Sequence, residues 1–501
     1  MTETLLTLRP LLAALVSALA ALLIFTLGER VRPNTREAIT FVAAGTKLLI
    51  VVSMVPAVLA GKEIKLTLFE IVKGLPIAFS VDAAGMIFAC VSSVLWVLTS
   101  CYSVGYMRGH GEKHQTGYYA AFAMCLSATI GLCFAANLLT FFVFYEILTV
   151  STYPLVVHHR DAEGKTAGRK YLAYTLISGQ IFFAGMVILY FLTGTLDFKP
   201  GGFVDPGLLP MPWALILFFM MIGAGIVKAG VMPLHSWLPS AMVAPTPVSA
   251  LLHAVAVVKA GAFCTLRVVL YVFGPEYAKA CMGTEILSWM AVCTIIISSL
   301  IALRKDNLKA RLAYSTIGQL SYIILGICTL EPIGVAGGLY HIVAHAFMKI
   351  TLFMCAGAIF VTTHKKNISE MVGIGRRMPV TMTAYTIASF ALAGFPFFAG
   401  FVSKASIMSA AVDSGKLIYV ITLVLSGLLA LAYMTPLVFI GFKKDVVNAD
   451  FTKYGEANKA MLVPLVITAI ISILLGVAPN LGLHLYDLAL IAGNSVFGIG
   501  A

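Results

Sequence analysis

Residues 221–263 read MIGAGIVKAGVMPLHSWLPSAMVAPTPVSALLHAVAVVKAGAF. Between Lys228 and Lys259 there is no Asp, Glu, Lys or Arg, yet the interval holds Pro233, Pro239, Pro245 and Pro247. The prolines break helical hydrogen bonds, and Pro233 frees the carbonyl of Ala229 beside Lys228. The segment nevertheless keeps the composition of a membrane interior. Irregular backbone at that depth is tolerated only inside protein or beside a water-filled cavity. A titratable cation next to a helix break supplies charge and local hydration together, which is what an ion path requires.

The rest of the chain has the same character. Its 501 residues are 60% hydrophobic and 11% charged, with a mean hydropathy of +0.96, whereas soluble chains carry about 25% charge. Apolar stretches long enough for a helical crossing recur throughout. The reading is an all-α membrane protein, a single polytopic domain over 1–501, with spans at 8–28, 39–61, 80–103, 117–136, 137–157, 169–194, 211–230, 246–271, 282–304, 309–329, 333–362, 379–402, 417–442 and 461–480. The short alternating segments of a β-barrel are missing.

Basic residues gather in the loops after spans 1, 3, 5, 9, 11 and 13, among them Arg30, Arg108, Lys165, Arg304, Lys366, Lys444 and Lys453. The other side holds Arg9, Lys62, Lys65, Lys73, Lys199, Lys279 and Lys416. The positive-inside rule then makes the first group cytoplasmic, in a bacterial inner membrane, with both termini external. The net charge of +12 is thus a topology signal. It is not the single basic surface that nucleic-acid binding needs. Glu3 and Arg9 in the first segment argue against a signal peptide. The nine cysteines form no CxxC pair, which argues against a metal or iron–sulfur site. No nucleotide-binding motif is present, and the expectation is no cofactor and no metal.

Charges inside spans carry the functional reading, because each costs roughly 2.5–3.5 kcal/mol at the centre of an isolated helix. Lys47 and Arg267 lie near span ends, where snorkelling is the expectation. Glu146, in NLLTFFVFYEILTVSTYPLV, is the one acid placed deep in a span, and a lone buried carboxylate must be protonated or paired. Lys228 is the expected partner. The stretch from 379 to 412 repeats the broken pattern, with Gly394, Pro396 and Gly400 ahead of Lys404. Two broken helices in corresponding halves point to an inverted repeat and its binding site. In GGLYHIVAHAFMKITLFMCAG, His341, His345 and Lys349 follow at i, i+4 and i+8 on one helix face. Such groups can pass a proton by small rotations. A pair of histidines four apart cannot take both faces of one haem, and a solute carrier would need a substrate-sized polar pocket.

With these residues in view, the chain resembles the antiporter-like subunits of respiratory complex I, membrane-bound hydrogenases and Mrp-type antiporters. The blocks that carry the resemblance are VFYEILTVSTYPLV, VKAGVMPLHSWLPSAMVAPTPVSALLHAVAVVKAGAF, RLAYSTIGQLSYI, HIVAHAFMK, MVGIGRRMPVT and GFPFFAGFVSK, spread over about residues 80–440. The resemblance implies about fourteen helices with two inverted five-helix repeats, about 117–271 and 282–442, and broken helices 7 and 12. Spans 1–3 would be peripheral and 461–480 the last span. It also implies a relay of Glu146, Lys228, Lys259, His345, Lys349 and Lys404, with His253 and His341 as secondary members. Length, Lys404 and GFVSK look most like the D-type component of Mrp antiporters, while His253 is typical of the longest complex I-type subunit. The expected function is proton translocation, with sodium left open, in a complex with other membrane subunits. Any redox centre would then lie in those partners. The alternatives are a stand-alone solute carrier and a haem or quinone electron carrier.

Overall fold

The computed structural model describes residues 4–30, 32–72, 74–443 and 454–499, so Lys73, Lys444 and Lys453 lie outside the described residues. In chain order the elements are β1 (Thr4–Leu6), α1 (Arg9–Leu27), α2 (Pro33–Val52), α3 (Val55–Leu59), β2 (Glu63–Val72), β3 (Leu75–Val81), α4 (Ala83–Gly109), α5 (Gln115–Cys133) and α6 (Leu138–Val156). Next come α7 (Ala162–Thr193), α8 (Met211–Ala229), α9 (Trp237–Ser240), α10 (Thr246–Ala250), α11 (Val257–Arg267), α12 (Pro275–Ala280) and α13 (Gly283–Arg304). The last group is α14 (Leu308–Cys328), α15 (Pro332–Thr363), α16 (Pro379–Ala393), α17 (Ala399–Asp413), α18 (Leu417–Gly441), α19 (Lys459–Val477) and α20 (Leu485–Val496).

Among the described residues, twelve helices are long and apolar enough to cross a membrane. Two expected spans fall outside that set, for visible reasons. In α14 the basic Lys309 and Arg311 and the polar Ser315, Thr316, Gln319 and Ser321 dilute the apolar content. The segment 379–402 belongs to two separate 15-residue helices, α16 and α17. The third expected span also starts late. Residues 75–81 form β3, in a three-stranded sheet of order β1-β2-β3, and Asp82 caps α4 by accepting from the Gly85 N–H at 2.8 Å. The β2–β3 pair is antiparallel and β1–β2 parallel.

Two spans have their apolar stretch fully buried inside the protein: Thr246–Phe273, made of α10, α11 and two π-helical stretches, and α15, whose ends alone are partly exposed. Every other span leaves part of its surface open. The pair that bears His253, Lys259, His341, His345 and Lys349 is therefore the axis of the molecule. Burial on all sides matches sequences that are apolar around most of each helix, interrupted by these residues and by Thr246, Ser249, Thr265, Arg267 and Thr351.

Both expected breaks are present. After α8 the chain turns at Gly230 (φ +71°), whose N–H donates to the Val227 carbonyl at 3.0 Å, and the Trp237 indole N–H donates to the same carbonyl at 2.8 Å. After α16 it turns at Gly394 (φ +93°) before α17 begins.

An internal repeat is written in the main chain. Asn137 caps α6 by accepting from the Thr140 N–H (2.8 Å), Leu138 N–H donates to Leu196 O (3.0 Å), and Phe198 N–H donates to Ala136 O (3.0 Å). The same set recurs at a constant offset at α14. Asn307 accepts from the Ala310 N–H (3.0 Å), Leu308 N–H donates to Lys366 O (3.0 Å), and Ile368 N–H donates to Asp306 O (2.9 Å). In each case a helix start is pinned to the residues that follow the next helix, α7 or α15.

Candidate proton path

The centre of the path is set by one widened turn. Across Leu251–Val255 the helix is π-helical, with Ala256 N–H reaching back to Leu251 O. Such turns release backbone acceptors and cluster at functional sites. Lys259 uses the result: its Nζ donates to the His253 carbonyl at 3.3 Å and lies 3.0 Å from His345 Nδ1. Lys259, His253 and His345 are all fully buried.

From His345 the line runs along α15. The His341 and His345 rings lie near-parallel, with centroids 5.9 Å apart, as the i, i+4 spacing requires. His341 Nδ1 is 2.8 Å from Ser403 Oγ on α17. The next residue, Lys404, turns back across the break and donates to the Leu392 and Ala393 carbonyls at 2.8 and 3.0 Å. A cation there also meets the negative end of the α16 dipole. Tyr322 completes this end, with Lys404 Nζ 5.0 Å from its ring centre.

Lys349 leaves the line sideways. Its Nζ donates to Ser315 Oγ (2.7 Å) and Leu312 O (3.1 Å) of α14, and Ser315 is 3.0 Å from the Tyr433 hydroxyl of α18.

Glu146 and Lys228 form a second region. The expected direct pair is absent: among the described residues no ion pair within 4.0 Å joins them. Lys228 Nζ instead donates to the Tyr145 carbonyl at 2.9 Å and lies 3.3 Å from the Tyr145 ring centre. The physical reason is that a carbonyl and a π-face, both on α6, already solvate the ammonium. Glu146 points toward α7, where a Cβ on Gly179 would collide with its carboxylate, and among the described residues its buried Oε1 has no hydrogen-bond partner. α8 and α11 then meet backbone to backbone, since a Cβ on Gly261 would lie 2.6 Å from the Gly225 carbonyl oxygen.

Two cations expected to snorkel do not. Lys47 is fully buried, 4.1 Å from the Trp96 ring centre. Arg267 is 2% exposed and bidentate on Asp82, with Nη2 to Oδ1 at 2.8 Å. Both find their stabilisation inside the protein, from a ring face and a carboxylate. The partners Ser403, Ser315, Tyr145 and Tyr322 are not singled out by sequence. Each sits in or beside a motif block, but an uncharged Ser or Tyr in an apolar helix has an ordinary packing role until its neighbour is known.

What the arrangement can do is hold ammonium and imidazole groups in hydrogen-bond or near-contact sequence without fixed counter-charges. Among the described residues, Lys228, Lys259, Lys349 and Lys404 have no carboxylate within 4.0 Å. Each rests on neutral acceptors in place of a carboxylate.

Comparison with known proteins adds the family. Residues 135–430 match the family described as NADH:quinone oxidoreductase/Mrp antiporter, TM. NADH-quinone oxidoreductase subunit N of Desulforudis audaxviator is 30% identical over 389 residues, 75% of this chain and 77% of that one. The chain spans 64% of the length of two longer subunit 5 and chain 5 relatives. A chain of the membrane-bound sulfane sulfur reductase, an archaeal respiratory membrane complex, superposes with a TM-score of 0.87 at 25% identity, covering 98% of both chains. A chain of the Mrp complex from Dietzia sp. superposes at 0.84 over 98% of both, and its 21% identity speaks to the fold alone. The chain belongs to the NADH:quinone oxidoreductase/Mrp antiporter transmembrane family, as an antiporter-like subunit of Mrp- or complex I-type membrane complexes.

Proposed function

We propose that the chain translocates protons through Lys259, His345, His341 and Lys404, with Lys349 as a side store and Glu146 and Lys228 as the gate. The observation that carries this reading is the succession of buried side chains from Lys259 to His345 (3.0 Å), from His345 to His341 (ring centroids 5.9 Å) and from His341 to Ser403 (2.8 Å), which ends beside Lys404 at the second helix break. A line of titratable groups without carboxylate counter-ions can take up and release protons in turn. The gate works through Tyr145, on whose carbonyl and ring Lys228 rests while Glu146 follows directly in sequence.

The fourteen-span count, the opposite orientation of the two repeats and the partition into 117–271 and 282–442 belong to the same proposal. The repeated cap at α6 and α14 supports them, since five membrane-length spans separate the two starts. An odd number of crossings puts them on opposite faces. Sodium as a co-transported ion stays within the proposal, as do the other membrane subunits and the inner-membrane location with cytoplasmic basic loops.

The test is proton movement by the whole complex in vesicles, with assembly followed by copurification. Lys259→Ala is expected to assemble and to lower the rate by at least roughly tenfold, as loss of a positioned proton carrier does. A wild-type rate for that variant overturns the relay.

A further inference from the structure

On the basic face, away from the buried line, three histidines surround one carboxylate. Glu112 lies in the turn between α4 and α5, and its side chain is 6% exposed. His158 Nε2 and His159 Nδ1, from the turn before α7, are each 3.6 Å from Glu112 Oε2, and His110 Nε2 is 3.8 Å from Oε1. These separations exceed hydrogen-bond range, so the contacts are electrostatic. His110, Glu112 and His159 line a cavity of about 560 Å3, together with the exposed Asp161 and Glu163 and with Lys309, Lys365 and Lys366. Tyr106 and Tyr118 are the titratable neighbours of Glu112 from α4 and α5.

The same cavity reaches the start of the enclosed span that bears His253. Thr246, 1% exposed, lines it, and its hydroxyl donates to the Tyr106 hydroxyl at 3.4 Å. Ser249 and His253 follow at three- and four-residue steps, one helical face deeper, both fully buried. Among the described residues, neither ring nitrogen of His253 has a hydrogen-bond partner. Lys309 holds the cavity edge by donating to Ala244 O at 2.6 Å.

We propose that His110, His158 and His159 around Glu112 are a proton-collecting mouth, which loads the cavity and feeds His253 by way of Thr246 and Ser249. This rests on the relay reading above. The chemistry is that of a local buffer. Burial pushes the Glu112 carboxyl up, but the three rings beside it outweigh that and hold it below its ordinary value. It therefore stays ionised at neutral pH and keeps an attractive charge at the mouth. Burial lowers the His159 imidazole, against the pull of Glu112 and Asp161, so a proton taken there is readily passed on. Free protons are scarce at neutral pH, and a pool of imidazoles exchanges them far faster than bulk water can supply a single site.

The experiment uses the whole complex in vesicles, with the pH of the bath facing the basic loops varied from about 5.5 to about 8.5, a window centred on imidazole titration. The variants are Glu112→Gln, His159→Gln and the triple His110→Gln/His158→Gln/His159→Gln, with assembly checked by copurification. Expected is a wild-type rate at the acid end and a fall of about tenfold per pH unit above neutrality, where bulk protons limit supply. Added imidazole buffer should restore the lost rate. An unchanged profile, or a fall of equal size at all pH values that imidazole does not relieve, overturns the collector. Lys259→Ala, measured alongside, judges the relay separately: a low rate at every pH for that variant, with unaltered collector variants, removes the mouth and leaves the path.

Discussion

Lys228 rests on Tyr145, and Glu146 faces Gly179, so the two charges of the proposed gate are neighbours without being partners. Removing one member of a direct buried pair costs about 3–5 kcal/mol, because the survivor is stranded. That penalty does not apply in full here, and function should fail before folding. Glu146→Gln and Lys228→Ala are each expected to assemble normally while abolishing coupled proton movement. Glu146→Asp should keep part of it, since the charge survives on a shorter arm. Wild-type rates for Glu146→Gln would make the carboxylate structural. Gly179→Ala tests the same gate without touching a charge: the added methyl must displace the flexible carboxylate. Transport should drop several-fold while thermal stability shifts by less than about 1 kcal/mol, as only a side-chain end has to move. At this scale the sequence was a good guide to which residues titrate, because a charge inside an apolar span is conspicuous by itself. It was a poor guide to partners. Nothing in the spacing of Glu146 and Lys228 reveals that Lys228 rests on a tyrosine carbonyl and ring instead.

Helices show the same division. The i, i+4, i+8 pattern of His341, His345 and Lys349 fixed one face of α15 directly, and the prolines and glycines after Lys228 and around Gly394 marked both breaks. The strands 63–72 and 75–81 were missed because the hydrophobic run into α4 conceals the change of period at Asp82. The widened turn at 251–255, which packs against α15, has no mark in the sequence. The second break makes the most direct prediction. Gly394 has φ +93°, and a Cβ there would come within 2.8 Å of Lys404 Cδ. Gly394→Ala should destabilise the protein by about 1–3 kcal/mol from backbone strain alone. It should also push Lys404 off the Leu392 and Ala393 carbonyls, lowering transport beyond what partial unfolding explains. Thermal melting and vesicle transport on the same preparation separate the two effects. Transport in proportion to folded protein would show that the Lys404 position is unimportant.

For the molecule as a whole, the loop asymmetry predicts that reporters at Lys165 and Lys366 read cytoplasmic and that one at Lys62 reads external. A cytoplasmic reading at Lys62 would show that the orientation is inverted. The purified single chain should show little coupled transport, since its relatives belong to multisubunit complexes; robust exchange by the chain alone would favour a self-sufficient carrier. The overall architecture was legible because hydropathy and basic loops are properties of every span, whereas contacts between distant spans are not. The two enclosed spans carry a consequence for biogenesis. A ribosome delivers helices in order, and α15 reaches the bilayer before α16 to α20 exist. Until those later helices close around it, His341, whose partner Ser403 lies on α17, faces lipid or the insertion machinery. A nascent chain halted after Thr363 should therefore remain bound to its insertase or be degraded, while one released after α20 should not.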